Sequence, residues 1–143
     1  MIEVVRNAIP QEMCEFISHN MDLHFNLIDY PKDNTLLCSN AVGDYAPIFL
    51  ESLLVYLQPL IEKTVAKKLH PTFSFVRIYH NGSNLKRHVH IEGRSEYGVS
   101  CCIKKDVDWS LSFKKSGKSI PYNLNEGDII AYKGMEYYHW RES

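Results

Sequence analysis

Three histidines carry the strongest chemical signal in this chain. His88 and His90 stand two apart in Leu85-Lys86-Arg87-His88-Val89-His90, and His139 lies far downstream in His139-Trp140-Arg141. On an extended strand, residues two apart leave the same face, so a single ion can take an imidazole from each. A third imidazole, from a late strand paired beside the first, completes a set that holds a divalent metal with coordination positions open, as a catalytic iron requires. An H-x-H pair by itself is common on strand surfaces, and the flanking sequence is what gives this one weight. Upstream stands Arg77-Ile78-Tyr79-His80-Asn81-Gly82-Ser83; downstream, Gly127-Asp128 opens the apolar run Ile129-Ile130-Ala131-Tyr132, and Gly134 turns the chain toward His139.

The elements that must position these residues are helical first and β-rich second. Met1 to Arg6 is a short β-like run. Asn7-Ala8-Ile9-Pro10 can cap and open a helix in which Met13, Phe16, Ile17, Met21 and Leu23 or His24 recur at helical spacing, fading near Phe25. Residues 30 to 46 scatter turn formers around Leu36-Leu37-Cys38 and read as loop with one strand. From Pro47 to Leu69, apolar residues spaced three and four apart predict an amphipathic helix that Pro59 kinks or splits. After Pro71 the texture becomes alternating and aromatic: Phe73 to Tyr79, Tyr97 to Ile103, Trp109 to Phe113, Ser119 to Leu124 and Asp128 to Tyr132 are strand candidates. Short strands this close together argue a sandwich or barrel, with the helices packed on one sheet. The expected organisation is a single α+β domain over 1–143, helical over about 8–69 and β-rich over about 71–143.

Composition narrows the partners. The chain has 143 residues, with Lys plus Arg at 16 against Asp plus Glu at 17, so it lacks the long-range pull of a basic protein toward nucleic acid or an anionic membrane. No window approaches the roughly 18 uninterrupted apolar residues of a membrane span, and nothing at the N-terminus has the pattern of a signal peptide. A soluble, cytoplasmic protein is expected. Cys14, Cys38, Cys101 and Cys102 include an adjacent pair and no CxxC, and read as reduced thiols that pack as small apolar residues. Lys104-Lys105 and Lys114-Lys115-Ser116-Gly117-Lys118 read as solvated turns. No P-loop, GxGxxG or GxSxG is present.

From Ile9 onward the chain resembles the 2-oxoglutarate/Fe(II)-dependent oxygenases, in particular their prolyl-hydroxylase-like branch. Ala8-Ile9-Pro10-Gln11-Glu12-Met13-Cys14 looks like that family's opening helix, and Pro71-Thr72-Phe73 through Gly82-Ser83 like its strand entering the site. His88-x-His90 occupies the place of its H-x-D, while Trp109-Ser110-Leu111, Glu126-Gly127-Asp128 and His139-Trp140-Arg141 look like the later strands and the distal histidine. The resemblance implies a double-stranded β-helix with two N-terminal helices. It implies Fe(II) held by His88, His90 and His139, with 2-oxoglutarate as cosubstrate and Tyr79 helping to hold it. The implied reaction is hydroxylation of a small molecule or a protein side chain.

Two departures from the family pattern bear on activity. Histidine stands at 90 where the family has aspartate, and neutral imidazole does not supply the negative charge of a carboxylate; Glu92 is the nearby carboxylate that could substitute. The sequence also ends four residues after His139, short of the Arg or Lys that usually pairs the far carboxylate of 2-oxoglutarate. Arg141 is the favoured replacement, because a guanidinium clamps carboxylates bidentately, with Arg87, Lys133 and Lys86 as further candidates. Two rival readings use the same residues. One is a three-histidine, cupin-type dioxygenase needing no cosubstrate, with Gly82, His88 and His90 in its first motif, Gly127, Gly134 and His139 in its second, and Glu96 one place late for its glutamate. The other is a catalytically degenerate binding protein that keeps the fold.

Overall fold

The computed structural model describes residues 1–27, 37–90 and 95–143. Strand β1 (Ile2–Val5) leads into helix α1 (Gln11–Leu27), β2 (Cys38–Tyr45) and helix α2 (Ile48–Val65). Six strands follow: β3 (Phe75–His88), β4 (Tyr97–Cys101), β5 (Leu111–Lys115), β6 (Lys118–Tyr122), β7 (Ile129–Lys133) and β8 (His139–Arg141). They form two antiparallel sheets, one of three strands ordered β1-β7-β4 and one of five ordered β2-β3-β8-β5-β6. The architecture is mixed α and β, with two helices and two sheets.

Strand β7 is buried on both faces and divides the core. Ile129 faces the helices, packing with Cys14 and Ile17 of α1 and Leu53, Leu57 and Ile61 of α2. Ile130 and Tyr132 face the other way, packing with Leu85, Leu111 and Phe113 of the five-stranded sheet. Period-two alternation thus lets one strand serve two apolar layers. The helices cover the three-stranded sheet, as expected. In α1 the inward stripe is Met13, Cys14, Ile17, Met21 and His24; Phe16 is 68% exposed and Leu23 58% exposed. Of the residues expected at helical spacing, Met13, Ile17 and Met21 lie on this stripe, His24 takes the place left open between Leu23 and His24, and Phe16 alone is corrected, with Cys14 buried instead. Helix α2 runs through Pro59 as one element rather than splitting there.

The turn into β7 is fixed by a buried carboxylate. Asp128, 1% exposed, accepts hydrogen bonds from Arg6 Nη1 at 2.7 Å, Asn7 N at 2.9 Å and Asn125 N at 2.8 Å. Burial alone would push its carboxyl up, but the Arg6 guanidinium and the two backbone N–H groups outweigh that and hold it below the ordinary value. Beside it, Gly127 adopts φ +92, and a Cβ there would come 2.5 Å from the carbonyl oxygen of Ile9. Asp128→Ala is expected to cost about 3 kcal/mol, since two backbone donors lose their acceptor. Urea denaturation would show this as a lower midpoint with an unchanged slope.

Strand β3 is longer than its sequence pattern indicated, because two irregularities let it continue past Gly82. Against β2, Ser39 pairs with Asn84 and Ala41 with Tyr79, so β3 spends three extra residues between those pairs. Gly82 supplies the left-handed backbone there with φ +82, and Asn40 Nδ2 donates to the Asn81 carbonyl at 2.7 Å. Against β8, Leu85 pairs with Arg141 and His88 with His139, an offset of one residue on β3. That second bulge turns Arg87 to the outer face, over the rings of Tyr138 and Trp140. It also brings His88 opposite His139.

Candidate metal centre

The three histidines converge. One potential ligand atom from each of His88, His90 and His139 lies within 4.8 Å of the others. The His88 and His139 rings are 4.2 Å apart between centroids, His90 and His139 5.2 Å, and His88 and His90 6.4 Å. His139 is 2% exposed, flanked in the sheet by His88 on β3 and Phe113 on β5, with the Tyr132 ring 4.9 Å away. One expectation is corrected in detail. His88 and His90 do not share a strand, because β3 ends at His88. His90 instead donates its backbone N–H to the Gly134 carbonyl at 2.8 Å, just beyond β7.

Each ring is oriented through its Nδ1. His88 Nδ1 lies 2.7 Å from the Lys86 carbonyl, His139 Nδ1 2.9 Å from the Tyr137 carbonyl, and His90 Nδ1 3.0 Å from Ser95 Oγ. A carbonyl only accepts, so in His88 and His139 the proton sits on Nδ1 and Nε2 keeps its lone pair. Such outer hydrogen bonds fix the tautomer a metal ligand needs. Burial depresses all three imidazoles: His139 is pushed down to about 4, and His88 and His90 move the same way, with His88 adding repulsion at His90. Neutral, preoriented imidazoles suit a divalent transition metal, and this donor set fits iron, zinc or copper by its chemistry.

Further along the same sheet face lies a second group. Arg141 alternates with His139 on β8, and its guanidinium sits 5.7 Å from the Tyr79 ring and 5.0 Å from the Trp109 ring while donating to the Trp109 carbonyl at 2.7 Å. Tyr79 and Trp109 meet edge to face at 4.7 Å. Burial raises the Tyr79 hydroxyl pKa, against the opposing pull of Arg77 and Arg141, so it stays a hydrogen-bond donor. Arg77 lies over the rings of Phe75 and Tyr79, and its charge also bears on His88. Tyr132 bridges the two groups: its ring touches His90 and His139, and its hydroxyl feels both Tyr79 and Arg141.

The other candidate bases lie elsewhere. Arg87 stacks on the outer face, Lys86 is exposed, and Lys133 pairs with Glu136 at 3.5 Å. Glu96, the late match to a cupin glutamate, is turned to the surface in an ion pair with Lys67 at 3.0 Å. Glu92 lies outside the described residues. Burial pushes the Cys101 thiol up to about 12, in keeping with cysteines that pack rather than react. Sequence reasoning missed Ser95, Gly98 and Tyr132 as members of the site. Gly134 did stand out as a turn residue, but its contact with His90 joins two distant segments and leaves no local signature.

No family model and no curated protein sequence matches this chain. Its structure superposes on that of a Pseudomonas putida prolyl-4-hydroxylase with a TM-score of 0.80 at 11% identity, covering 98% of this chain and 83% of that one. It also matches the structure of OsALKBH1 with a TM-score of 0.66 at 9% identity, covering 99% of this chain and 84% of that one. Two helices, two antiparallel sheets and a histidine cluster between them are thus arranged in the fold of a prolyl-4-hydroxylase, the fold that the resemblance of Ile9 to Arg141 implied.

Proposed function

We propose that this protein is a non-haem Fe(II) oxygenase that uses 2-oxoglutarate to hydroxylate a small molecule or a protein side chain, its two sheets forming the halves of a double-stranded β-helix. The observation that carries the reading is the convergence of His88, His90 and His139 within 4.8 Å in a prolyl-4-hydroxylase fold. Iron bound there, with 2-oxoglutarate, would supply oxygen activation coupled to cosubstrate decarboxylation. The chain's own residues hold the parts. Lys86 and Tyr137 carbonyls fix the His88 and His139 tautomers, and Ser95 orients His90. Arg141, whose guanidinium lies over the Tyr79 ring, would pair the far carboxylate of the cosubstrate, and the protonated Tyr79 hydroxyl would donate to it. Tyr132 and Phe113 wall the histidines from water on the core side. No helix among the described residues is long and apolar enough to cross a membrane.

The test is anaerobic addition of Fe(II) followed by 2-oxoglutarate, read by the visible charge-transfer band and, on admitting oxygen, by succinate. Wild type is expected to give both. Arg141→Leu should weaken 2-oxoglutarate binding by roughly 30-fold, the worth of about 2 kcal/mol for a hydrogen bond to a charged group, while leaving iron affinity near wild type. Metal uptake without the band or succinate would favour the cosubstrate-free, three-histidine dioxygenase. Failure to bind metal would favour a binding protein on this fold.

A further inference from the structure

Position 90 is one of the two places where this chain departs from the pattern it resembles, and the surroundings of His90 are cut to the shape of an imidazole. The His90 backbone N–H is bonded to the Gly134 carbonyl, and the Gly134 N–H donates to the Glu96 carbonyl at 3.1 Å, so residue 134 is pinned between two neighbouring segments. A Cβ on Gly134 would fall among the His90 ring atoms Nδ1, Cε1 and Cγ. On the adjacent strand, a Cβ on Gly98 would come 2.7 Å from His90 Cε1 and 2.7 Å from Tyr132 Cε2. Gly98 is the register partner of Tyr132, whose ring forms the remaining wall with its centroid 5.8 Å from that of His90. Among the described residues the glycines with positive φ are Gly82, Gly117 and Gly127, so neither Gly98 nor Gly134 is needed for a left-handed backbone. What both provide is the space of a missing methyl group. Ser95 Oγ meets Nδ1 at the rim.

An aspartate at 90 would fit this slot poorly. Its carboxylate oxygens extend only about as far as the near atoms of the imidazole ring, leaving the space beside Gly98 and Tyr132 unfilled. We propose that Gly98 and Gly134 are positioning residues that admit an imidazole at position 90, so that the third arm of the site is histidine by construction and the ligand set is charge-neutral. For its ligation role the inference rests on the metal centre proposed above; the fit of ring to slot stands on packing alone.

The test is a double-mutant cycle on metal-free protein, paired with Co(II) titration. Gly134→Ala alone should lower Tm by roughly 5–10 °C, because its methyl competes with the His90 ring. The same change in a His90→Ala background should lower Tm by less than about 2 °C, since the ring is gone. With Co(II), the wild-type protein should show three paramagnetically shifted ring N–H resonances. Gly134→Ala should show two and bind the ion at least about 10-fold more weakly. Equal Tm losses in both backgrounds would overturn the proposal, as would Gly134→Ala protein that keeps wild-type Co(II) affinity and all three resonances. Full coupling in a wild-type protein that takes up no Co(II) would leave the slot standing and sink the proposed metal centre instead.

Discussion

His139→Ala is expected to weaken divalent-metal binding by more than about 100-fold, because loss of a direct ligand exceeds the 10- to 100-fold cost typical of losing a mere orienting partner. It should also lower stability by about 2–3 kcal/mol. Both effects follow from position. His139 is almost wholly buried between His88 and Phe113 in the sheet and against the Tyr132 ring, so truncation removes one imidazole of the proposed metal centre and opens a cavity that a β-sheet cannot readily collapse. His88 separates the two contributions. It is only half-buried, so His88→Ala should match His139→Ala in lost metal affinity while costing far less stability. Metal titration and urea denaturation of the two variants would measure this. Equal stability losses with unequal metal losses would mean that the cluster is a packing feature.

Acidification should destabilise the metal-free protein between pH 6.5 and 4. His139 is pushed down from its ordinary 6.5 to about 4, chiefly by burial, with His88 and His90 adding repulsion. Above pH 6.5 the imidazole is neutral in both folded and unfolded chains, and its burial contributes fully. As pH falls through the window the unfolded chain takes up a proton that the folded one refuses, so stability declines until pH nears 4. For His139 the loss amounts to about 3 kcal/mol, and the lowered values of His88 and His90 act in the same direction. Urea midpoints measured with chelator at pH 7, 5.5 and 4.5 should fall in that order. A flat profile would mean that the three rings are not buried neutral.

Much of this arrangement is legible in the residues, and the parts that are not share a cause. The apolar spacing of α2, the strands from Phe75 onward and the Gly-Asp entry into β7 are local patterns, and each survives with its boundaries moved by a few residues, except that β3 runs on from Tyr79 to His88. The neighbourhood of His88 and His139 was foreseen because a late strand was expected to return beside the first. The bulge between Leu85 and His88 was not, since its need arises only from the register of β8, more than fifty residues away. The same holds for Gly134, which looks like an ordinary turn glycine until the His90 ring is placed against it. In α1 Met13, Ile17, Met21 and His24 hold the inward stripe at the expected spacing, while Phe16 is exposed and Cys14, the less hydrophobic side chain, is buried. Pairing and packing between distant segments decide these points, and a local window does not contain them.

The tie between His90 and the end of β7 has a mechanical side. His88 and His139 belong to the five-stranded sheet, whereas His90 is fastened through its backbone to Gly134, the residue that follows the central strand of the other sheet. An ion held by all three would therefore be a rivet through both layers. At a free concentration 100 times its dissociation constant it would add about 2.7 kcal/mol to stability. It would do so by suppressing the parting of the sheets, slowing amide exchange in β7 and β8 together. Loading the site and closing the sandwich would be one event.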